Sequence, residues 1–124
     1  MSIHFKSNPK LDWGMLAPQI VLALAVASEC FAEEGEDCLV TCLRRPGTFA
    51  TQGFHFDGRA VDLGVRRVRG GEDIPEDKMD RIVLKLEARL GRSGGGPFDV
   101  VDERKPGSSP GWTGPHIHLE FQPR

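Results

Sequence analysis

The chain has 124 residues, of which 39% are hydrophobic and 27% charged, as in an ordinary globular protein of one domain with no room for a second. Sixteen Lys and Arg against eighteen Asp and Glu leave a net charge of −2. No basic stripe carries the positive excess that phosphate binding uses, so nucleic acid is not an expected partner. The short run Arg66-Arg67 with Arg69 is expected to be a solvated loop.

In chain order, residues 1–13 are expected to be irregular. The apolar run from Met15 to Ala27 follows Lys6 and Lys10 and ends in Ala25-Val26-Ala27, which imitates a secretory signal. Asp12 and the Pro18-Gln19 interruption argue against one, and the run is shorter than the ~20 residues of a membrane span. A buried helix is expected instead, from about Leu16 to Glu34, with Leu16, Ile20, Ala23, Leu24, Ala27 and Phe31 at helical spacing. Pro18 suits its first turn and Gly35 its stop. With no signal and no span, the chain is expected to be cytoplasmic at synthesis and not to insert into a membrane.

A short strand is expected over Cys38–Leu43, then a loop leading to His55. Cys30, Cys38 and Cys42 are odd in number and form no C-x-x-C pair, which favours a reducing compartment, and Cys38 and Cys42, straddling the strand, are expected to be buried small hydrophobes. Ala60–Val65 alternates as a half-buried strand, with Asp62 and Gly64 on the face opposite Val61, Leu63 and Val65. Met79, Ile82, Val83, Leu86 and Leu90 form a second helical stripe between Pro75 and Gly91. The acidic cluster Glu72, Asp73, Glu76 and Asp77 lies at that helix's N-terminus, where the dipole favours it. After Gly94-Gly95-Gly96, strands are expected over Phe98–Glu103 and Pro115–Phe121, separated by the Pro- and Gly-rich stretch Arg104–Gly114 with Trp112. The order implies an α+β fold with two main helices on one face of a small, largely antiparallel sheet.

The chemistry gathers in two segments holding three of the four histidines. In His116-Ile117-His118-Leu119-Glu120-Phe121 the alternation puts His116, His118 and Glu120 on one face and the apolar residues on the other. Residues two apart on a strand are about 6.6 Å apart, at ~3.3 Å per residue. Zinc–nitrogen bonds are only ~2.0–2.1 Å, so one imidazole ligates while the other stands near the metal-bound water. Asp62 lies on the polar face of its own strand, and Gly58 allows His55 to turn back towards the same point. Two imidazoles and a carboxylate leave a fourth tetrahedral position open, the arrangement of a catalytic zinc site. The same donors also make the facial triad of iron(II) oxygenases. Those enzymes usually carry H-x-D on an all-β barrel, whereas this chain shows H-x₆-D and two clear helices.

The segment His-Phe-Asp-Gly-Arg-Ala-Val-Asp-Leu over residues 55–63 resembles the H-x-x-G-x-A-x-D signature of D-alanyl-D-alanine metallopeptidases. It is closer still to the matching segment of the Hedgehog signalling domain. His116-Ile117-His118 resembles the H-x-H that ends the same fold in both groups and in lysostaphin-type enzymes. The likeness runs from about Leu16 to Phe121. It implies zinc held by His55, Asp62 and His118, with His116 orienting water or stabilising the oxyanion. It also implies a general base just upstream of the H-x-H, with Glu103 the first choice and Asp102 the second. By position, Arg45 (or Arg44) is the arginine that holds the substrate's carboxylate, and Trp112 either lines the substrate groove or anchors its own loop. Two departures stand out: the Arg104–Gly114 insertion before His116, and Gly53 where the peptidases often have Ser.

The function implied is hydrolysis of amide bonds in peptidoglycan stem or cross-link peptides, as a D,D- or L,D-type carboxypeptidase or endopeptidase. The protein is expected to act as a monomer on the cell wall after release or export, like a bacteriophage lysis enzyme. A Hedgehog-like module that binds zinc without catalysis is the alternative, since fold alone does not fix function.

Overall fold

The first apolar stripe folds as helix α1, Pro18–Ala32, with Pro18 in its first turn. Ile20, Ala23, Leu24, Ala27, Cys30 and Phe31 are buried along one side. Gly35 ends it with φ of 75°, a left-handed value that a Cβ would disfavour. The Gly35 N–H donates to the Ala32 carbonyl at 2.9 Å and the Glu36 N–H to the Phe31 carbonyl at 3.0 Å, which satisfies two carbonyls of the last turn. The computed structural model describes residues 3–6, 16–43, 58–108, 112 and 114–121.

The other elements are strands β1 (Ile3–Phe5), β2 (Cys38–Cys42) and β3 (Ala60–Gly64), helix α2 (Glu76–Arg89), a single 3₁₀ turn at Arg92–Gly94, and strands β4 (Phe98–Glu103) and β5 (His116–Phe121). The five strands form one sheet in the order β1-β2-β3-β5-β4. The protein is therefore α+β, as expected, but the sheet is mixed: β1 runs parallel to β2, and the other pairings are antiparallel. β1 also corrects the expectation that residues 1–13 are irregular. Three residues, Ile-His-Phe, are too few to give a periodic signal, yet Ile3 and Phe5 pack against the core.

Alternation sorts the sheet into two faces. Cys38, Val40, Val61, Leu63, Ile117 and Leu119 join the buried residues of α1 and α2 in one core, so both helices cover the same face. The other face takes the polar residues of β3 and β5. β3 departs from the half-buried expectation, because all five of its residues are buried. It is the central strand, and its polar face is itself covered by side chains from β2 and β5.

All three cysteines are buried and none is in a disulfide. Burial pushes the Cys38 thiol up to about 12 and raises that of Cys30, so these thiols resist forming the reactive thiolate. Among the described residues no helix is long and apolar enough to cross a membrane.

Ion pairs hold the helices and the β3–α2 connection in place. Glu34, just past the end of α1, accepts from Arg81 at 2.7 Å and Lys85 at 2.8 Å, and Glu33 takes both guanidinium nitrogens of Arg89 at 2.8 Å. These partners offset the unfavourable placement of two carboxylates at a helix C-terminus. The acidic residues before α2 are structural, as expected: Glu76 and Asp77 lie in its first turn, while Glu72 and Asp73 pair with Arg67 and Arg66. Arg67 itself is no solvated loop residue. Its Nε and Nη2 donate to the two oxygens of Glu36, both at 2.9 Å, and Lys78 donates to the same carboxylate at 2.9 Å.

Glu36 is only 5% exposed, and the Arg67 fork holds its carboxyl down at about 2. A carboxylate with a depressed folded-state pKa stabilises the fold above its ordinary range, near 4.5, and that stabilisation is lost as the pH falls towards 2. Glu36→Gln is expected to cost about 2 kcal/mol at neutral pH, because Arg67 and Lys78 lose their anion. In denaturant titrations the variant should also show a shallower loss of stability than the wild type between pH 4.5 and 2.

Candidate metal and proton-transfer site

The polar face is organised by the registry of β5 with its two neighbours. Asp62 of β3 stands opposite His118, and Gly64 opposite His116. On the other side Glu103 of β4 stands opposite His116, and Val101 opposite His118. Partners in a ladder share a face, so Asp62, His118, His116 and Glu103 meet in the middle of the sheet.

The contacts are short. His118 Nδ1 is 2.8 Å from Asp62 Oδ1, and its Nε2 is 3.2 Å from Glu120 Oε1. His116 Nε2 is 2.7 Å from Glu103 Oε2 and 3.8 Å from Asp62 Oδ1, and its Nδ1 is 2.7 Å from the Gly114 carbonyl. All five side chains are less than one-fifth exposed.

Counting protons constrains the cluster. The Gly114 carbonyl only accepts, so His116 Nδ1 carries a proton, and a further proton lies between His116 Nε2 and Glu103. His118 faces a carboxylate on each side, but a neutral imidazole has one N–H. With that proton on Nδ1, His118 donates to Asp62; with it on Nε2, towards Glu120, the Nδ1 lone pair faces an Asp62 oxygen and can serve as a ligand to a cation. Two donors on one tetrahedral divalent ion lie ~3.4 Å apart, given bond lengths of ~2.0–2.2 Å. Asp62 and His118 would therefore separate by about half an ångström to share one. Their donor types and the Glu120 carboxylate behind the imidazole fit a zinc ion.

Of the three expected ligands, Asp62 and His118 are brought together, whereas His55 lies outside the described residues. Among the described residues no group of three or more His, Cys, Asp or Glu is arranged to hold a metal. Arg45 and Arg44 also lie outside the described residues. The two candidate bases separate cleanly. Glu103 meets His116, but Asp102 pairs with Ile117 in the ladder and so shares the helix-covered face. There Arg104 grips the Asp102 carboxylate at 2.8 Å and 2.7 Å and holds its pKa below the usual range. Asp102 is not part of the cluster.

Sequence reasoning placed Glu120 on the histidine face without giving it a role. Its spacing of two from His118 was the available signal. Nothing in the sequence announced the β-bulge in β2, where the registry shifts between Val40 and Cys42 so that Cys42 stands opposite Asp62. A bulge re-aims the side chains around it, and Thr41 Oγ1 reaches the Asp62 carbonyl at 3.4 Å.

In the insertion before β5, the Trp112 indole N–H donates to the Glu103 carbonyl at 2.9 Å. This bond ties the indole to the end of β4, close to the Glu103–His116 pair. Trp112→Phe keeps the ring and removes the donor. It should lower stability by about 1 kcal/mol, read from chemical denaturation.

The chain matches no protein-family model, and the comparisons with curated proteins and solved structures found no match.

Proposed function

We propose that the protein is a zinc-dependent peptidase with the D-alanyl-D-alanine metallopeptidase and Hedgehog architecture. It hydrolyses amide bonds in peptidoglycan stem or cross-link peptides, working as a monomer on the cell wall. The observation that carries this reading is the meeting of Asp62, His118, His116 and Glu103 in one cluster on the polar face of the sheet. The order of the two histidine-bearing segments along the chain supports it.

His55, Asp62 and His118 would hold the zinc, with Glu120 orienting the His118 ring through its second nitrogen. Zinc supplies Lewis acidity that polarises the substrate carbonyl and lowers the pKa of water to near neutrality. Glu103 takes the proton from the attacking water and returns it to the leaving amine, as a positioned general base and acid. His116 is fixed on both ring nitrogens, by the Gly114 carbonyl and by Glu103. It aligns the Glu103 carboxylate, and once Glu103 has taken the water's proton the Nε2–H is released to the oxygen that gains charge.

Mass spectrometry of products from purified wall peptides tests this reading. The wild type should release a defined fragment, and Glu103→Gln should slow release by roughly 10²–10⁴-fold while keeping its zinc. Full zinc loading without any product would favour the non-catalytic zinc module. Stoichiometric iron with little zinc in protein purified without added metal would favour an oxygenase.

Metal affinity gives a second, independent check. Asp62→Ala or His118→Ala should abolish stoichiometric zinc. Glu120→Gln should weaken binding roughly 10–100-fold, measured by competition with a chromophoric chelator.

A further inference from the structure

The polar face continues beyond the cluster, across β3 and β2 to β1. Gly64, opposite His116, raises no side chain from the sheet. A Cβ there would meet Thr41 Cγ2 at 3.0 Å and Leu39 Cδ2 at 3.2 Å, so these two β2 side chains lie over the glycine. Beside them is a groove of about 580 Å³, lined by Leu39, Thr41, Gly64, Val65 and Pro115, among others, with Lys6 and Arg66 also on its wall. It begins next to His116 and ends at Lys6, just past β1. Those two positions are three strand intervals apart, or ~14 Å at ~4.8 Å per strand. An extended peptide covers that distance in about four residues.

The charge along this path is lopsided. Carboxylates Asp62, Glu103 and Glu120 gather at the histidine end. At the other end Lys6 and Arg66 are exposed, and Lys6 has no carboxylate partner among the described residues. Arg67 also lines the groove but is committed to Glu36. Among the described residues, Asp73 is the one carboxylate lining the groove. It lies 3.4 Å from Arg66 in a pair exposed on both sides (71% and 77%), a geometry that offers little competition to an incoming anion.

We infer that this groove is a subsite for an acidic peptide, with Lys6 and Arg66 taking a carboxylate two to four residues away from the bond held at His116 and Glu103. The inference rests on the peptidase reading for the position of that bond, but the binding it describes does not require turnover. It makes the enzyme selective between wall peptides whose glutamate carboxylate is free and those in which it is amidated.

The test uses two stem pentapeptides that differ only in the α-carboxylate of D-glutamate, free in one and amidated in the other. Their affinities for the Glu103→Gln protein are measured by calorimetry, and KM is measured with the wild type. The free acid should bind about tenfold more tightly than the amide, corresponding to ~1.4 kcal/mol, and should show the lower KM. In the Glu103→Gln background, Lys6→Gln with Arg66→Gln should erase the preference. Equal binding of acid and amide, or a preference that survives the double substitution, overturns the inference. A preference lost in that variant, but with no product from the wild type, upholds the groove and overturns only the peptidase reading. Cleavage that ignores amidation does the reverse.

Discussion

The position of β5 between β3 and β4 is the constraint on which the polar cluster depends. Each of its donors sits where a ladder partner puts it: Asp62 across from His118 on one side, Glu103 across from His116 on the other. Strand side chains alternate with period two, so slipping β5 by one residue would turn both imidazoles into the helix-covered core and Ile117 and Leu119 out of it. The apolar residues thus hold the polar ones in register. Burial of Ile117 and Leu119, both 0% exposed, is the force that fixes the imidazoles.

Building the cluster on strands rather than loops has an electrostatic consequence. Three carboxylates and two imidazoles are confined in a shallow, poorly solvated patch, where each polar group needs a partner of opposite kind. Glu103 and His116 satisfy one another, with the Gly114 carbonyl completing the ring. Asp62, His118 and Glu120 are arranged differently, with one imidazole between two carboxylates. In the Glu36 network the order is reversed, with one carboxylate between the cations Arg67 and Lys78.

Much of this architecture was legible in the residues. The stripes ending at Phe31 and Leu90, the punctuation by Pro18, Gly35 and Pro75, and the strict alternation of residues 116–121 all express burial on one face, which leaves a periodic trace. The shared face of His116, His118 and Glu120 followed from the same alternation. What escaped lacked such a trace. Ile3–Phe5 is too short for a period, and its pairing partner lies more than thirty residues away. The buried role of Arg67 depends on Glu36, thirty-one positions earlier, and a charge beside a second charge reads as solvated until its partner is known. The bulge at Thr41 changes only backbone registry. Which of Glu103 and Asp102, adjacent carboxylates on one strand, meets His116 became definite only once the strand's facing was known.

The two borders of the sheet are protected unequally. On one side β4 presents Asp99, Asp102 and Glu103, charges that discourage another chain from docking along it. On the other, among the described residues, β2 is covered by β1, three residues long and held by parallel pairing. Detachment of that short ribbon would strip Lys6 from the groove wall, take Ile3 and Phe5 from the core and bare main-chain donors and acceptors of Cys38–Cys42.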